Sequence, residues 1–462
     1  MSSVSADRWG ERLPRKLGLW SAVAVLVGTT IGSGIFRTPA VVAERVDLTV
    51  LFAAGWIAGG VLALCGALTF AELAALFPRT GGMYVYIREG FGRLPAFLFG
   101  WAELLIIRPA ALGAIAVVSA EYFWRLWGVD GARLLDPLPT SLAQVTAAGF
   151  IVVVGAVNYA GVQHAALLQN ASTVLKVAAL LALVGLGSFL VPQYPLQREV
   201  AEPVVSGLSP LAGFGLALVA ILWAYDGWAD VAFVSGEVKD PQRNLPRALF
   251  LGTASVAALY LAVNAVYLKL IPLDRMPGSP LIAADAAQIV LGSAGVVFVS
   301  ASVMVSAFGA LNGSMLVGSR IFYAMAEDRL FFRSLARVHP RYATPSGAIV
   351  LAAGLGILFV SVRTFGELAD QFIIGIWPFY ALAVGAAFVL RRRLPELERP
   401  YRTWGYPVVP LLFLLAALFL LGNYMISQPL LFWADVAVVL SGVPVYWFWV
   451  RRSSSQGPGP AG

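Results

Sequence analysis

The chain has 462 residues, of which 59% are hydrophobic and only 12% charged, with a mean hydropathy of +0.80. One soluble core of ordinary composition does not carry that much apolar surface, so lipid must be much of the solvent. The net charge of +7 and pI near 9.6 do not point to nucleic acid, because the basic residues sit in short clusters between apolar stretches, with no basic domain or tail.

In hydrocarbon only helices and closed barrels satisfy every backbone group, and the apolar stretches here run on without the alternation of barrel strands. The expected class is an all-α membrane protein. Met1 to Lys16 is polar and precedes a long apolar stretch with no small-residue cleavage pattern, so a retained cytoplasmic segment (1–16) is expected rather than a signal peptide. Runs of spanning length follow at 17–43, 50–77, 94–124, 141–159, 164–191, 210–236, 247–271, 286–326, 346–362, 367–390, 406–426 and 430–450, which makes twelve. Alternating sides of this arrangement hold twenty-one and seven basic residues. The other four of the 32, Arg37, Arg108, Lys176 and Arg320, fall within spans. That imbalance puts both termini in the cytoplasm. The tail, 451–462, ends in a Ser/Gly/Pro-rich stretch expected to be disordered.

The first span reads GTTIGSGIF from Gly28 to Phe36, and Gly32-Ser33-Gly34 is poor helix former at mid-span. A break there would place the N–H groups of Gly32, Ser33 and Gly34 at the start of a second half-helix, a ready carboxylate site. Close packing of the Gly28/Gly32 GxxxG pair is the alternative. In the sixth span, Trp223-Ala224-Tyr225-Asp226-Gly227 sets a carboxylate and a glycine inside an apolar run. A mid-span Asp costs about 2.5–3.5 kcal/mol on insertion scales, so it must face a cavity or a partner, or be a hydrated structural Asp bonded to backbone.

Spans one and six open two five-span halves, 17–191 and 210–390, where inverted-repeat transporters place discontinuous helices; spans at 406–450 follow. The freed N–H groups would hold a carboxylate, while carbonyls near Thr30, Ile31, Trp223, Ala224 and Asp226, beside Gly227, would accept from an ammonium. Those are the two ends of an α-amino acid. Trp223 is the candidate aromatic gate, with simple packing as its alternative, and Trp377 the candidate pocket wall in span ten.

Lys176 lies mid-span in QNASTVLKVAALL and needs acceptors; the carbonyls released at the first break are the strongest. An ammonium fixed there would stand in for a sodium ion. Arg37 is expected to snorkel, Arg108 to bond backbone kinked by Pro109, and Glu72, Glu103, Asp230 and Glu237 to be solvated or capping. Cys65, His164 and His339 are too few and too scattered for a disulfide framework or a Cys/His metal site, and no metal or cofactor is expected.

GTTIGSGIFRTP in span one, AYDGWADVAFVSGEVKDPQRNLPRAL from span six onward and GSRIFYAMAEDRLFF in span eight resemble the amino acid/polyamine/organocation superfamily, and within it the L-type amino acid transporter branch. YRTWGYPVVP before span eleven is a weaker match. The resemblance covers nearly the whole chain and implies a LeuT-like fold of two inverted five-helix repeats plus two extra helices. It also implies carboxylate binding at Gly32, Ser33 and Gly34, a gate at Trp223, and Lys176 replacing a sodium site. Two departures stand out: Asp226 falls where animal members commonly have a small uncharged residue, and the loop 125–140 has no cysteine for a disulfide-linked ancillary subunit. The expected function is sodium-independent exchange of neutral L-amino acids in the inner membrane, with an amino acid and the lipid bilayer as partners. Proton-coupled symport through Asp226 or Lys176 is the rival. A membrane-embedded enzyme lacks a visible nucleophile and base, and a receptor lacks an output domain.

Overall fold

In a computed structural model, residues 15, 17–79, 81–135, 140–160, 163–189, 209–327, 330, 339, 342, 344 and 346–455 are described. Among the described residues the apolar stretches become mostly helices: α1 (Leu19–Thr30), α2 (Gly34–Ala43), α3 (Thr49–Leu76), α4 (Met83–Phe91), α5 (Arg93–Ala102), α6 (Arg108–Leu126), α7 (Leu142–Ala160), α8 (Gln163–Phe189) and α9 (Pro210–Tyr225). After them come α10 (Asp230–Phe233), α11 (Pro241–Leu270), α12 (Ile282–Glu327), α13 (Ser346–Val362), α14 (Phe365–Arg393), α15 (Val408–Ser427), α16 (Pro429–Leu440) and α17 (Gly442–Ser455). Among the described residues, 8 helices are long and apolar enough to cross a membrane, and the α1/α2 pair, bent by 41°, makes a ninth. Shorter apolar helices occupy Thr173–Phe189, Pro210–Tyr225 and Ser346–Val362.

Large apolar side chains face outward, as on α7 (Val152, Val153) and α15 (Leu411, Leu415, Leu418), which suits a surface solvated by lipid. Inside, α11 packs along α3 and against α1, while α12 lies against α6 and α8. α2 lies on α9, and α14 contacts both α6 and α9. α5 and α6 form one rod joined by a π-helical turn over Glu103–Ile107. Pro109 explains it: a proline inside a helix has no N–H and collides with the carbonyl four residues back, and a widened turn relieves both. α12 bends at Gly292, where φ is +65°.

Ion pairs tie α14 at both ends. Near its start, Arg45 forks onto Asp370 at 2.7 and 3.0 Å and gives the Leu216 carbonyl a third bond at 2.7 Å. Near its end, buried Glu72 accepts from Arg391 Nε at 2.9 Å and from the Thr403 N–H and hydroxyl at 2.7 Å each. Glu72 is therefore a buried junction rather than the solvated or capping group expected. The segment at 451–455, expected to be disordered, continues α17; 456–462, nearly all of 1–16 and the loop at 190–208 lie outside the described residues.

Candidate substrate site

The first break begins where α1 runs out of turns. Ile31 N–H makes the last helical bond, to Val27 O at 2.9 Å, and Gly32 N–H folds back onto Thr30 O at 2.7 Å. Ser33 then opens α2 without a side-chain cap, leaving the first-turn N–H groups of α2 with no carbonyl of their own helix to bond. The carbonyls exposed on the α1 side are taken up by distant side chains. Lys176 Nζ donates to Gly28 O at 2.6 Å from α8, and Tyr260 OH donates to Thr30 O at 2.9 Å from α11. Thr30 O, expected to await an ammonium, thus already accepts twice.

The second break meets the first. α9 stops at Tyr225, Asp226 is extended with ψ at 155°, and Gly227 takes φ +106°, a conformation glycine adopts without strain. A Cβ on Gly227 would lie 2.8 Å from Thr30 N and 2.9 Å from Thr30 Cα, so the two interrupted backbones touch. Thr29 Oγ1 lies 3.2 Å from Gly227 O across that contact, its one proton shared with Val25 O and Leu26 O of its own helix at 3.1 Å each. Gly34 is equally constrained: a Cβ there would sit 2.4 Å from Ala224 Cα. The close packing at this break is made by Gly34 against α9 rather than by Gly32 of the Gly28/Gly32 pair, since Gly32 has only Thr29 O (3.6 Å) and Thr30 O (4.0 Å) near its own Cβ position.

Thr30, Gly32, Ser33, Gly34, Trp223, Asp226 and Gly227 line one cavity, which they share with side chains from α6, α12 and α14. Ile31 and Ala224 lie buried behind it. Trp223 projects onto Phe372 and Phe365 in edge-to-face contacts with centroids 5.1 and 6.2 Å away. Arg37, expected to snorkel, instead stands 5.4 Å from the Phe365 ring centre and pairs with Glu121 at 3.0 Å. Trp377 is a correction: it stacks on Phe413 of α15, centroids 4.9 Å and planes 8° apart, and does not line the cavity. The lining face of α14 is Phe372, Ile376 and Tyr380, spaced by four, and Trp377 is turned about 100° from Ile376 on the helical wheel.

Sequence reasoning missed the charged wall. Glu103, Arg108 and Asp230 all line the cavity, although solvated, capping or kink-bonding roles were expected for them. Tyr380 OH donates to Asp226 Oδ1 at 2.8 Å, giving the mid-span carboxylate a partner. Arg108 donates to Glu103 Oε2 from Nε at 3.2 Å and from Nη2 at 2.9 Å, and from Nη1 to Ser314 Oγ at 2.9 Å. The available signal was Pro109: a proline one place after the arginine marks a widened turn, and a widened turn aligns residues five apart.

A family model described as amino acid permease matches residues 17–449. The chain is 32% identical over 448 residues to a serine/threonine exchanger of Bacillus subtilis, covering 96% of this chain and 98% of that one. It is 31% identical to the human b(0,+)-type amino acid transporter 1, over 95% of this chain and 88% of the relative. With the human cystine/glutamate transporter it shares 30% identity, covering 95% and 86%. By the extent of these matches, the chain belongs to the amino acid permease family, a group of membrane transporters within the amino acid/polyamine/organocation superfamily.

Proposed function

We propose that this protein exchanges neutral L-amino acids across the inner membrane by alternating access, independently of sodium. The observation that carries the reading is the meeting of two helix breaks on one cavity, with Gly227 against Thr29 and Thr30 and the start of α2 beside them. The α-carboxylate binds the first-turn N–H groups of α2 around Ser33 and Gly34. The ammonium is received by the last-turn carbonyls of α9 together with Asp226, because Thr30 O is occupied. Trp223 closes over the substrate on its Phe372 and Phe365 side. Lys176, fixed on Gly28 O at 2.6 Å, supplies a positive charge at the break without a sodium ion.

The architecture that accompanies this reading is twelve spans: two inverted repeats at 17–191 and 210–390, then two helices within 406–450, with both termini cytoplasmic. Among the described residues, the eight helices of spanning length, the bent α1/α2 pair and the three shorter apolar helices support the number, and the basic-residue imbalance supports the orientation. No disulfide-linked subunit is required. The test is counterflow in proteoliposomes: labelled neutral amino acid should enter only when unlabelled amino acid is inside, without any need for sodium. Equal entry into empty vesicles would refute exchange.

Proton coupling is a second reading, favoured by the Asp226 and Asp230 carboxylates lining the cavity. An inward proton gradient alone should then drive accumulation into vesicles free of internal amino acid, and exchange without coupling predicts none.

A further inference from the structure

Arg108 is the guanidinium in the cavity wall among the described residues, and its bonding is directed at another wall residue. In a regular α-helix residues five apart point about 140° away from each other. The π-turn over Glu103–Ile107 removes that divergence: Arg108 N–H bonds to Glu103 O, and the two side chains meet on one face. Both are buried, Glu103 at 1% exposure and Arg108 at 8%. Gly318 on α12 provides the space, since a Cβ there would lie 2.6 Å from Arg108 Cδ. With Glu103 and Ser314 on the guanidinium, the charged wall groups left facing a ligand are the Asp226 and Asp230 carboxylates.

We infer that Glu103 is a specificity-determining residue that keeps acidic side chains out of the cavity by occupying the Arg108 guanidinium. The inference rests on the reading that an α-amino acid binds here with its side chain toward α6, α12 and α14. An incoming carboxylate gives up its water, passes Asp226 and Asp230, and meets a cation already held by a carboxylate on its own helix, which pays no association cost. Neutral side chains make no claim on that cation and are not excluded by the pair. Specificity of this kind comes from an internal competitor, a built-in element directed against the wrong ligand.

The experiment compares wild type with Glu103→Gln, which keeps the shape and removes the charge, and with the Glu103→Gln/Arg108→Gln double variant. In proteoliposomes, L-glutamate competes with a labelled neutral L-amino acid, and potency is expressed relative to the unlabelled neutral one. Glutamate should be ineffective on wild type and at least about tenfold more potent on Glu103→Gln, and the double variant should lose the gain. Thermal unfolding of the purified proteins with and without L-glutamate gives a readout that does not need transport: stabilisation is expected for Glu103→Gln only. Glutamate competing with wild type, no gained response in Glu103→Gln by either readout, or a gain that survives in the double variant would overturn the inference. A wild type that exchanges no amino acid would instead overturn the function proposed above, with the unfolding shift still deciding the role of Glu103.

Discussion

Adding one methyl group to Gly32 or to Gly34 of the first break separates packing there from the carboxylate binding proposed above. At Gly34 the new Cβ would lie 2.4 Å from Ala224 Cα, 2.8 Å from Ala224 Cβ and 3.2 Å from Ala224 N. Two of those atoms are backbone, so no side chain can swing aside; α2 and α9 must part by roughly 1 Å or more to reach ordinary carbon contact. Overpacking of that kind costs about 1–3 kcal/mol, and here it also displaces Trp223 from Phe372. At Gly32 the nearest atoms are Thr29 O at 3.6 Å and Thr30 O at 4.0 Å, and φ is not positive, so the fold accepts alanine.

Gly34→Ala is therefore expected to lower thermal stability in detergent and reduce exchange, whereas Gly32→Ala keeps stability. What Gly32→Ala loses is affinity, because its methyl stands at the cavity beside the N–H groups proposed to hold the carboxylate. The loss should be about tenfold, roughly 1.4 kcal/mol, and the same for every α-amino acid whatever its side chain. Half-saturation constants for several neutral amino acids in counterflow, with unfolding curves for both variants, provide the check. The reasoning is refuted if Gly34→Ala is as stable as wild type, or if Gly32→Ala binds all substrates normally or loses only some of them.

Lys176→Ala removes the ammonium held by Gly28 O, a charge-assisted bond of about 1.5–3 kcal/mol, so turnover should fall by at least about tenfold with the order of substrate preference intact. A change confined to preference, seen in the twenty-amino-acid competition profile, would contradict the role given to Lys176. Tyr380→Phe takes the hydroxyl from Asp226 and leaves a buried carboxylate short of a donor, costing about 1–3 kcal/mol. Thermal stability without substrate should drop accordingly, while the freed carboxylate should hold the substrate ammonium more tightly and lower the half-saturation constant; an unchanged half-saturation constant would remove Asp226 from the binding site.

The breaks were readable in sequence because they are local: Gly32-Ser33-Gly34 and Asp226-Gly227 each disfavour a helix by their own backbone chemistry. Lys176 was readable because a mid-span ammonium has few acceptors within reach, and released carbonyls are among them. Glu103 and Arg108 were not, since a spacing of five matches neither the three- nor the four-residue neighbour on a regular helix and becomes a contact only in a π-turn. Phe372, Ile376 and Tyr380 were hidden for a different reason. α14 is apolar and buried for most of its circumference, so residue type does not say which stripe faces the cavity and which faces α15. Trp377, the candidate wall residue, stacks instead on Phe413 of α15.

The contact between the breaks also constrains how the cavity can open. α1 is tied at both of its ends to residues 227–239, which follow α9: Thr29 Oγ1 lies 3.2 Å from Gly227 O near the break, and at the start Leu17 N–H donates to Glu237 O at 2.9 Å while Lys239 N–H donates to Leu17 O at 2.8 Å. A swing of α1 alone would break both backbone bonds and the Thr29–Gly227 contact, whereas displacing α1 together with 227–239 against α6 and α12 breaks none of them. Leu17 and Val238 form a parallel bridge, whose backbones lie about 4.8 Å apart, within the Cα separation a disulfide spans. Cys65, buried in α3, is the chain's single native cysteine, so a Leu17→Cys/Val238→Cys pair can be oxidised with little interference. Movement as one body predicts that the cross-linked protein still exchanges amino acids at a rate close to that of its reduced form. If oxidation stops exchange and reductant restores it, α1 moves away from residues 227–239 during the cycle and the two do not move as one body.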